Sequence, residues 1–307
     1  MAEHAARSGV SGSARPDPAT EAFVAHRNLL FTVAYEMLGS AADAEDVLQE
    51  TWLQWAQIDL ATVRNQRAFL VRITSRRALD RMRTLSRRKE TYIGPWLPEP
   101  LLTAPDVAED VELADCVSMA MLLVLETLTP IERAVFVLRE VFELPYDEIA
   151  HAVDKSLPAV RQIAHRAREH VSARRPREAA TAAETRAALA AFQHAVQTGD
   201  LQDLLDILAP DVIALSDGGG IRQAMARPVV GIDKLARLLV AHAAALGAQE
   251  SFQPVTLNGR PALIVRLNGE IDGVVTMRIE DGLITELYFV RNPEKLSRVE
   301  REIALSR

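Results

Sequence analysis

The chain has 307 residues, 49% of them apolar, with one cysteine and a formal net charge of −7. That length allows two or three domains with full cores, and the lone Cys116 excludes an internal disulfide or a multi-cysteine metal site, so a buried apolar thiol is expected there. The longest apolar run, MAMLLVL at 119–125, falls far short of the ~20 residues that span a bilayer, and the N-terminus lacks an apolar signal core, which points to a cytoplasmic protein that makes no membrane contact.

Residues 1–19, rich in Ala, Ser and Pro, read as a disordered tail. From Glu36 to Asp59 the chain carries six acids and no Lys or Arg. Within that block AADAEDVLQETWLQW (41–55) sets Val47, Leu48, Trp52 and Trp55 near helical spacing, with Asp43 as the expected cap. Asp46, Gln49 and Glu50 then share the exposed face.

The sign reverses from Arg64 to Glu90, where ten bases oppose two acids, a local net of +8 and enough to attract a polyanion. The helix at 67–85 is expected to bury Phe69, Leu70, Ile73 and Leu79. Its arginines Arg67, Arg72, Arg76, Arg77, Arg81 and Arg83, with Arg64 just ahead, would face outward. Arginines beside an aromatic ring suit unstacked bases as well as phosphates. The connector YIGPWLPEP (92–100) is held extended by Pro95, Pro98 and Pro100, yet it carries Tyr92 and Trp96, whose rings require an apolar receiver.

Residues 99–126 hold seven acids and no base, and residues 155–177 hold seven bases against Glu169. Between them, Thr129, Pro130 and Glu132 form a capping-box signature. A helix at 146–152, a VDKS turn and a helix capped by Ser156 with Pro158 near its start make a helix-turn-helix pattern. The last helix would bury Val160, Ile163, Ala164 and Ala167. Arg161, Gln162, His165, Arg166 and Arg168 are left outside, donors of the type that read base edges and phosphates in a major groove. A generic helical hairpin with solvated faces is the alternative; two basic segments separated by acidic ones favour two contact points on one polyanion.

After an alanine-rich linker the pattern shifts toward strands. Helices are expected at 184–197, 201–208 and 232–246, a strand at 211–217 running into GGG, and four strands near 252–257, 261–268, 271–280 and 283–290 joined by Asn-Gly and Asp-Gly turns. This is an α+β domain whose antiparallel meander curves around the helices and leaves room for a pocket. His194, Asp217, Arg222 and His242 could serve there as acid or base. No paired-carboxylate spacing or metal cluster accompanies them, so a regulatory module is favoured over an enzyme, with no catalytic residue, cofactor or metal assigned. DGGG (217–220) lacks the lysine and helix start of a phosphate loop and reads as a tight turn needing positive φ.

Taken together, residues 20–175 resemble bacterial sigma factors of the extracytoplasmic-function type. The resemblance implies two all-α sigma domains: a region 2 bundle at 20–90 and, after a linker at 91–111, a region 4 helix-turn-helix domain at 112–175. It implies core RNA polymerase as partner through its β′ clamp and β flap, with Asp46, Gln49, Glu50 and Trp52 at the polymerase interface. It also implies promoter DNA: Arg64, Arg67, Arg72, Arg76, Arg77, Arg81 and Arg83 at the minus-ten element, and Ser156, Arg161, Gln162, His165, Arg166 and Arg168 at the minus-thirty-five element. Many members have Asn where this chain has Arg76, which suits a phosphate contact better than a base-specific one.

Beyond a second linker at 176–183, residues 184–307 look like a SnoaL-like or NTF2-like domain. YIGPWLPEP, DGGG and NPEKL (292–296) resemble three signature motifs of the sigma subgroup that carries this extension. The resemblance implies an inter-domain regulatory role for Tyr92, Trp96, Pro98, Asp217, Gly218, Gly219, Gly220, Asn292, Pro293, Glu294, Lys295 and Leu296. The extension would act in cis in place of a separate anti-sigma factor, a compact state hiding the promoter-binding arginines, with a small ligand as a further partner. The alternative is a DNA-binding regulator fused to a ligand-binding or enzymatic SnoaL-like domain.

Overall fold

The structure, a computed structural model, describes residues 17–89, 91–104, 111–174, 180–246 and 249–306. Most of the expected tail lies outside these residues, but Pro18 and Ala19 do not belong to it. They start α1 (Pro18–Leu38), where proline suits the first turn. Helix α1 ends at Gly39, whose φ of +67° closes a left-handed cap. Helix α2 (Ala41–Trp55) is capped by Ser40 rather than the expected Asp43: the Ser40 side chain accepts from the Asp43 N–H. A short 3₁₀ turn leads to α3 (Gln66–Lys89).

The second helical body comprises α4 (Val111–Cys116), α5 (Met119–Glu126), α6 (Pro130–Phe136) with a π-turn at Val137–Val141, α7 (Tyr146–Val153) and α8 (Leu157–Ser172). The Thr129–Glu132 capping box starts α6. Asp154, with φ +54°, makes the turn between α7 and α8, and Ser156 caps α8. Cys116 is only half-buried, at the edge of the core rather than inside it.

The C-terminal domain contains α9 (Ala182–Thr198), α10 (Leu201–Ile207) and α11 (Ile232–Leu246), with β1 (Leu208–Asp217), β2 (Val229–Val230), β3 (Glu250–Leu257), β4 (Arg260–Leu267), β5 (Glu270–Glu280) and β6 (Leu283–Val290). Helix α9 begins two residues earlier than the spacing predicts, because Thr181 and Glu184 form a second capping box. The six-stranded sheet has the order β2-β1-β6-β5-β4-β3. It is not the wholly antiparallel sheet expected: β3 to β6 form the meander, but β1 runs parallel to β6, with Ala214 opposite Leu287. After β6 a short α12 (Pro293–Leu296) leads into the C-terminal segment.

Both faces of this sheet are buried. Leu263, Val265, Val275 and Leu287 pack on the domain's own helices. Ala262, Ile264, Val274, Tyr288 and Val290, alternating with them, pack on Leu97 of the connector and Met119 of α5. The two sigma-like helical bodies in turn share one continuous core, in which Leu30 and Leu70 of the first join Leu138 and Ile149 of the second. Helix α3 packs directly against α6 and α7.

Candidate functional site: the charged helix faces and the linker knot

On α2, Asp46, Gln49 and Glu50 are exposed, while Trp52 is half-buried with its ring tilted against Phe23 at 5.3 Å. The expected separation of an acidic face from a basic one is incomplete. Arg81 of α3 bridges Asp43 at 2.7 Å and Asp46 at 2.8 Å, and Arg77 lies 3.6 Å from Glu50 and donates to Gln54. Arg83 pairs with Asp80 on its own helix. Arg64, Arg67, Arg72 and Arg76 are exposed, and Arg72 lies over the Phe69 ring, 4.5 Å from its centre. Phe69 is half-buried, held by Trp55, so this surface does pair an aromatic with arginine.

On α8 the exposed face carries Arg161, Gln162, His165, Arg166 and Arg168, with Ser156 at its start. Val160, Ile163, Ala164 and Ala167 are buried beneath. Arg168 reaches Glu140 at 3.2 Å and the Tyr146 hydroxyl at 3.2 Å, and His165 lies 3.5 Å from Glu169. In this arrangement α3 and α8 belong to one body, with Arg64, Arg67, Arg72 and Arg76 of α3 and Arg161, Arg166 and Arg168 of α8 exposed and Arg81 half-buried against Asp43 and Asp46. What the compact arrangement restricts is the distance between the two basic faces.

The three sequence motifs meet at one point, centred on the fully buried Asp217 at the end of β1. Its Oδ1 accepts from the Tyr92 hydroxyl at 2.6 Å and from Gly219 N–H at 3.0 Å. Its Oδ2 accepts from Leu97 N–H at 2.9 Å and from Lys295 Nζ at 2.7 Å. Lys295 also donates to the Leu97 carbonyl at 2.6 Å and lies 4.1 Å from the Trp96 ring centre and 5.0 Å from that of Tyr92. Paired, hydrogen-bonded and covered by two aromatic faces, this buried cation has the partners that desolvation requires. Burial, with the Asp217 carboxylate beside it, holds the Tyr92 hydroxyl protonated far above the ordinary tyrosine range.

Asn292 caps α12 through its Oδ1 and donates from Nδ2 to the Tyr92 hydroxyl at 2.9 Å. Gly219, with φ +64°, lets that amide close in: a Cβ there would lie 2.4 Å from Asn292 Nδ2. The Gly218 carbonyl closes the turn by accepting from Ile221 and Arg222 N–H, and Gly220 lies under Ile93. Leu296 and Pro98 are buried at the edges of the knot, whereas Pro293 and Glu294 are exposed. Trp96 closes over Gly39, where a Cβ would be 2.8 Å from its ring, so the first motif also touches the end of α1.

Three further side chains, of Glu99, Asn258 and Arg133, tie the helical bodies, the connector and the C-terminal domain. Glu99 accepts from the Ala41 and Ala42 N–H groups at 2.8 and 3.3 Å, bringing a linker carboxylate to the N-terminus of α2. Burial raises its pKa, and those N–H groups oppose the rise. Asn258, only 1% exposed, donates to the Tyr35 hydroxyl at 2.6 Å and the Val117 carbonyl at 3.0 Å, and accepts from Leu101 N–H at 3.0 Å. In sequence it is simply the Asn of an Asn-Gly turn. Arg133 of α6 donates to the Glu36 carbonyl of α1 at 2.8 Å and pairs with Glu126. The Glu36 carboxylate is fully buried with neither oxygen hydrogen-bonded, and burial raises it to about 8 against the opposing charge of Arg133.

The candidate acid–base residues do not converge. Asp217 is held in the knot, His194 lies 3.9 Å from Asp203, His242 contacts Glu250 at 3.2 Å, and Arg222 is exposed. Among the described residues no helix is long and apolar enough to cross a membrane.

Residues 22–88 match the family described as Sigma-70 region 2, and residues 118–171 match Sigma-70, region 4. The chain is 33% identical over 290 residues to the probable ECF RNA polymerase sigma factor SigI of Mycobacterium tuberculosis, covering 94% of this chain and 98% of that one. It is 33% identical over 303 residues to the ECF RNA polymerase sigma factor SigJ of Mycobacterium tuberculosis, covering 90% and 92%. The crystal structure of that SigJ superposes with a TM-score of 0.74 at 31% identity, covering 91% of this chain and 99% of the other. Two helical sigma regions in chain order, joined to a C-terminal α+β domain and matched along nearly their whole length, show that the chain belongs to the extracytoplasmic-function sigma factors, non-enzymatic proteins that direct transcription initiation with core RNA polymerase at promoter DNA.

Proposed function

We propose that the C-terminal domain regulates initiation in cis by controlling how far apart regions 2 and 4 can stand. The observation that carries this reading is the direct packing of α3 on α7. Minus-ten and minus-thirty-five elements lie about 25 base pairs apart, or about 85 Å at 3.4 Å per pair. Helices α3 and α8 laid end to end would reach only about 60 Å at 1.5 Å per residue. Two readers held in one body cannot occupy both elements, so the regions must part, and polymerase favours the parted form by binding it more tightly.

The knot opposes that parting. It fastens the connector to the C-terminal domain, which also holds α1 through Tyr35 and the turn after α4 through Val117. In the parted form Asp46, Gln49, Glu50 and Trp52 meet the β′ clamp, and region 4 meets the β flap. Arg64, Arg67, Arg72, Arg76, Arg77, Arg81 and Arg83 follow the minus-ten strand, with Arg76 on a phosphate. Ser156, Arg161, Gln162, His165, Arg166 and Arg168 face the minus-thirty-five groove.

Promoter-directed transcription with limiting core polymerase tests this reading. Lys295→Met, which removes the cation between Asp217 and the connector, should raise initiation severalfold over the unaltered chain. Equal initiation by the two proteins, with the variant folded, would remove the regulatory role.

A further inference from the structure

The lengths of chain between the bodies are unequal. Helix α3 ends at Lys89, and Tyr92, three residues on, is already in the knot, which keeps the end of region 2 within about 11 Å of it. Region 4 is on longer tethers. Among the described residues, the last of the connector tied to the C-terminal domain is Ala104, whose N–H donates to the Ile303 carbonyl at 3.4 Å. Seven residues then lead to Val111 at the start of α4, a reach of up to about 25 Å. On the other side, eight residues separate Ser172 at the end of α8 from Ala180, whose carbonyl accepts from Arg260, a reach of up to about 29 Å.

The polar ties follow the same division. At the corner between α1 and α2, Glu99 is held through all its polar groups. Its N–H donates to the Gly39 carbonyl at 2.8 Å, its carbonyl accepts from the Tyr35 hydroxyl at 2.6 Å, and its carboxylate takes the Ala41 and Ala42 N–H groups. The second carboxylate oxygen lies 3.8 Å from Arg298, which follows α12. Farther on, Ser306 N–H donates to Thr32 Oγ1 of α1 at 3.1 Å, and Asn258 reaches Tyr35. The C-terminal domain thus grips region 2 through the connector and through its own last residues. Region 4 is held mainly by apolar packing, Met119 on the sheet and Leu138 and Ile149 in the shared core, beside the polar ties at Arg133, Val117 and Asp115. Apolar surface can be covered afresh on another protein without stranding a donor or an acceptor, whereas opening the Glu99 corner gives up several buried hydrogen bonds, each worth about 1 kcal/mol net.

We infer that region 2, the connector as far as Ala104 and the C-terminal domain stay together when polymerase binds, and that region 4 alone swings away. This rests on the reading that the two regions must part, and it names the part that moves. It also says how the knot restricts the parting. While the connector is tied down, the leading tether of region 4 starts at Ala104. Each tie that is lost lengthens it, and with all of them gone it would run the 22 residues from Lys89 to Val111, about 75 Å.

Electron-spin distance measurements on the full chain, alone and with core polymerase, test this. In a Cys116→Ser background, nitroxide pairs are placed on Ala25→Cys in α1, Ala173→Cys just beyond α8 and Gln197→Cys in α9, all exposed positions. On adding polymerase, the 25–173 and 173–197 distances should each lengthen by about 10 Å or more, within the reach of the tethers, while the 25–197 distance stays within about 3 Å of its starting value. If 25–197 lengthens and 173–197 stays fixed, the C-terminal domain travels with region 4; the inference is then overturned and the parting of the regions stands. Lengthening of all three distances overturns it as well, since the grip on region 2 has opened. If 25–173 does not lengthen, the regions do not part, and the inference falls together with the reading on which it rests.

Discussion

Asn258 and Glu36 are two buried polar side chains with opposite consequences. Asn258 satisfies groups from α1, the turn after α4 and the connector at once, so Asn258→Ala strands several buried donors and acceptors, each worth about 1–3 kcal/mol. The expected loss is on the order of 2 kcal/mol or more, read as a lower denaturant midpoint of the full chain. Glu36 acts the other way. Its carboxyl is raised by burial from 4.5 to about 8, so the folded protein holds a proton that the unfolded chain releases above the ordinary carboxylate range. That contribution is complete below about pH 4.5 and is lost as pH rises through about 8. Stability should therefore fall between pH 6 and 8.5 in the unaltered protein and fall less steeply in Glu36→Gln, as measured by chemical denaturation across that range. A parallel slope in the two proteins would refute the assignment.

Among the elements, the helix-turn-helix was largely legible: capping residues, the α8 apolar stripe and its basic face follow from 3.6-residue spacing alone. The sheet was less so. PALIV (261–265) is buried at every position, and a continuous apolar run signals a sheet covered on both faces, whereas the Asn-Gly turns indicate only a meander. The parallel β1–β6 pairing was not legible, since nothing in either strand specifies which sheet edge β1 joins. On α8, Arg161→Ala should weaken holoenzyme binding to promoter DNA and lower the slope of log affinity against log salt by about 1 if it contacts a phosphate. In the DGGG turn, Gly219→Ala forces a side chain into Asn292 at a positive-φ position. It should disrupt the knot about as fully as Lys295→Met, visible as faster proteolysis of the connector.

For the whole molecule, the connector and the C-terminal segment join bodies that could each form a core. Leu102 bridges Leu257 at the end of β3, Thr103 bridges Ile303, and Leu305 is buried in the core that regions 2 and 4 share. Trp96→Ala removes the ring that covers Lys295 and closes on Gly39, and should increase the radius of gyration in solution scattering while helix and strand content stays constant. An unchanged scattering profile would show that the ring does not hold the domains together. The sequence by itself determined the helical sigma regions, the α+β class of the C-terminal domain and the alternating charge blocks, because each depends on local periodicity or composition. Only the tertiary structure decided that Asp217, Tyr92 and Lys295 share one buried centre, that Arg77 and Arg81 are engaged by the acids of α2, and that α3 rests against α7. Those contacts join residues far apart in the chain, and no local spacing records which of many charged and aromatic side chains will become neighbours.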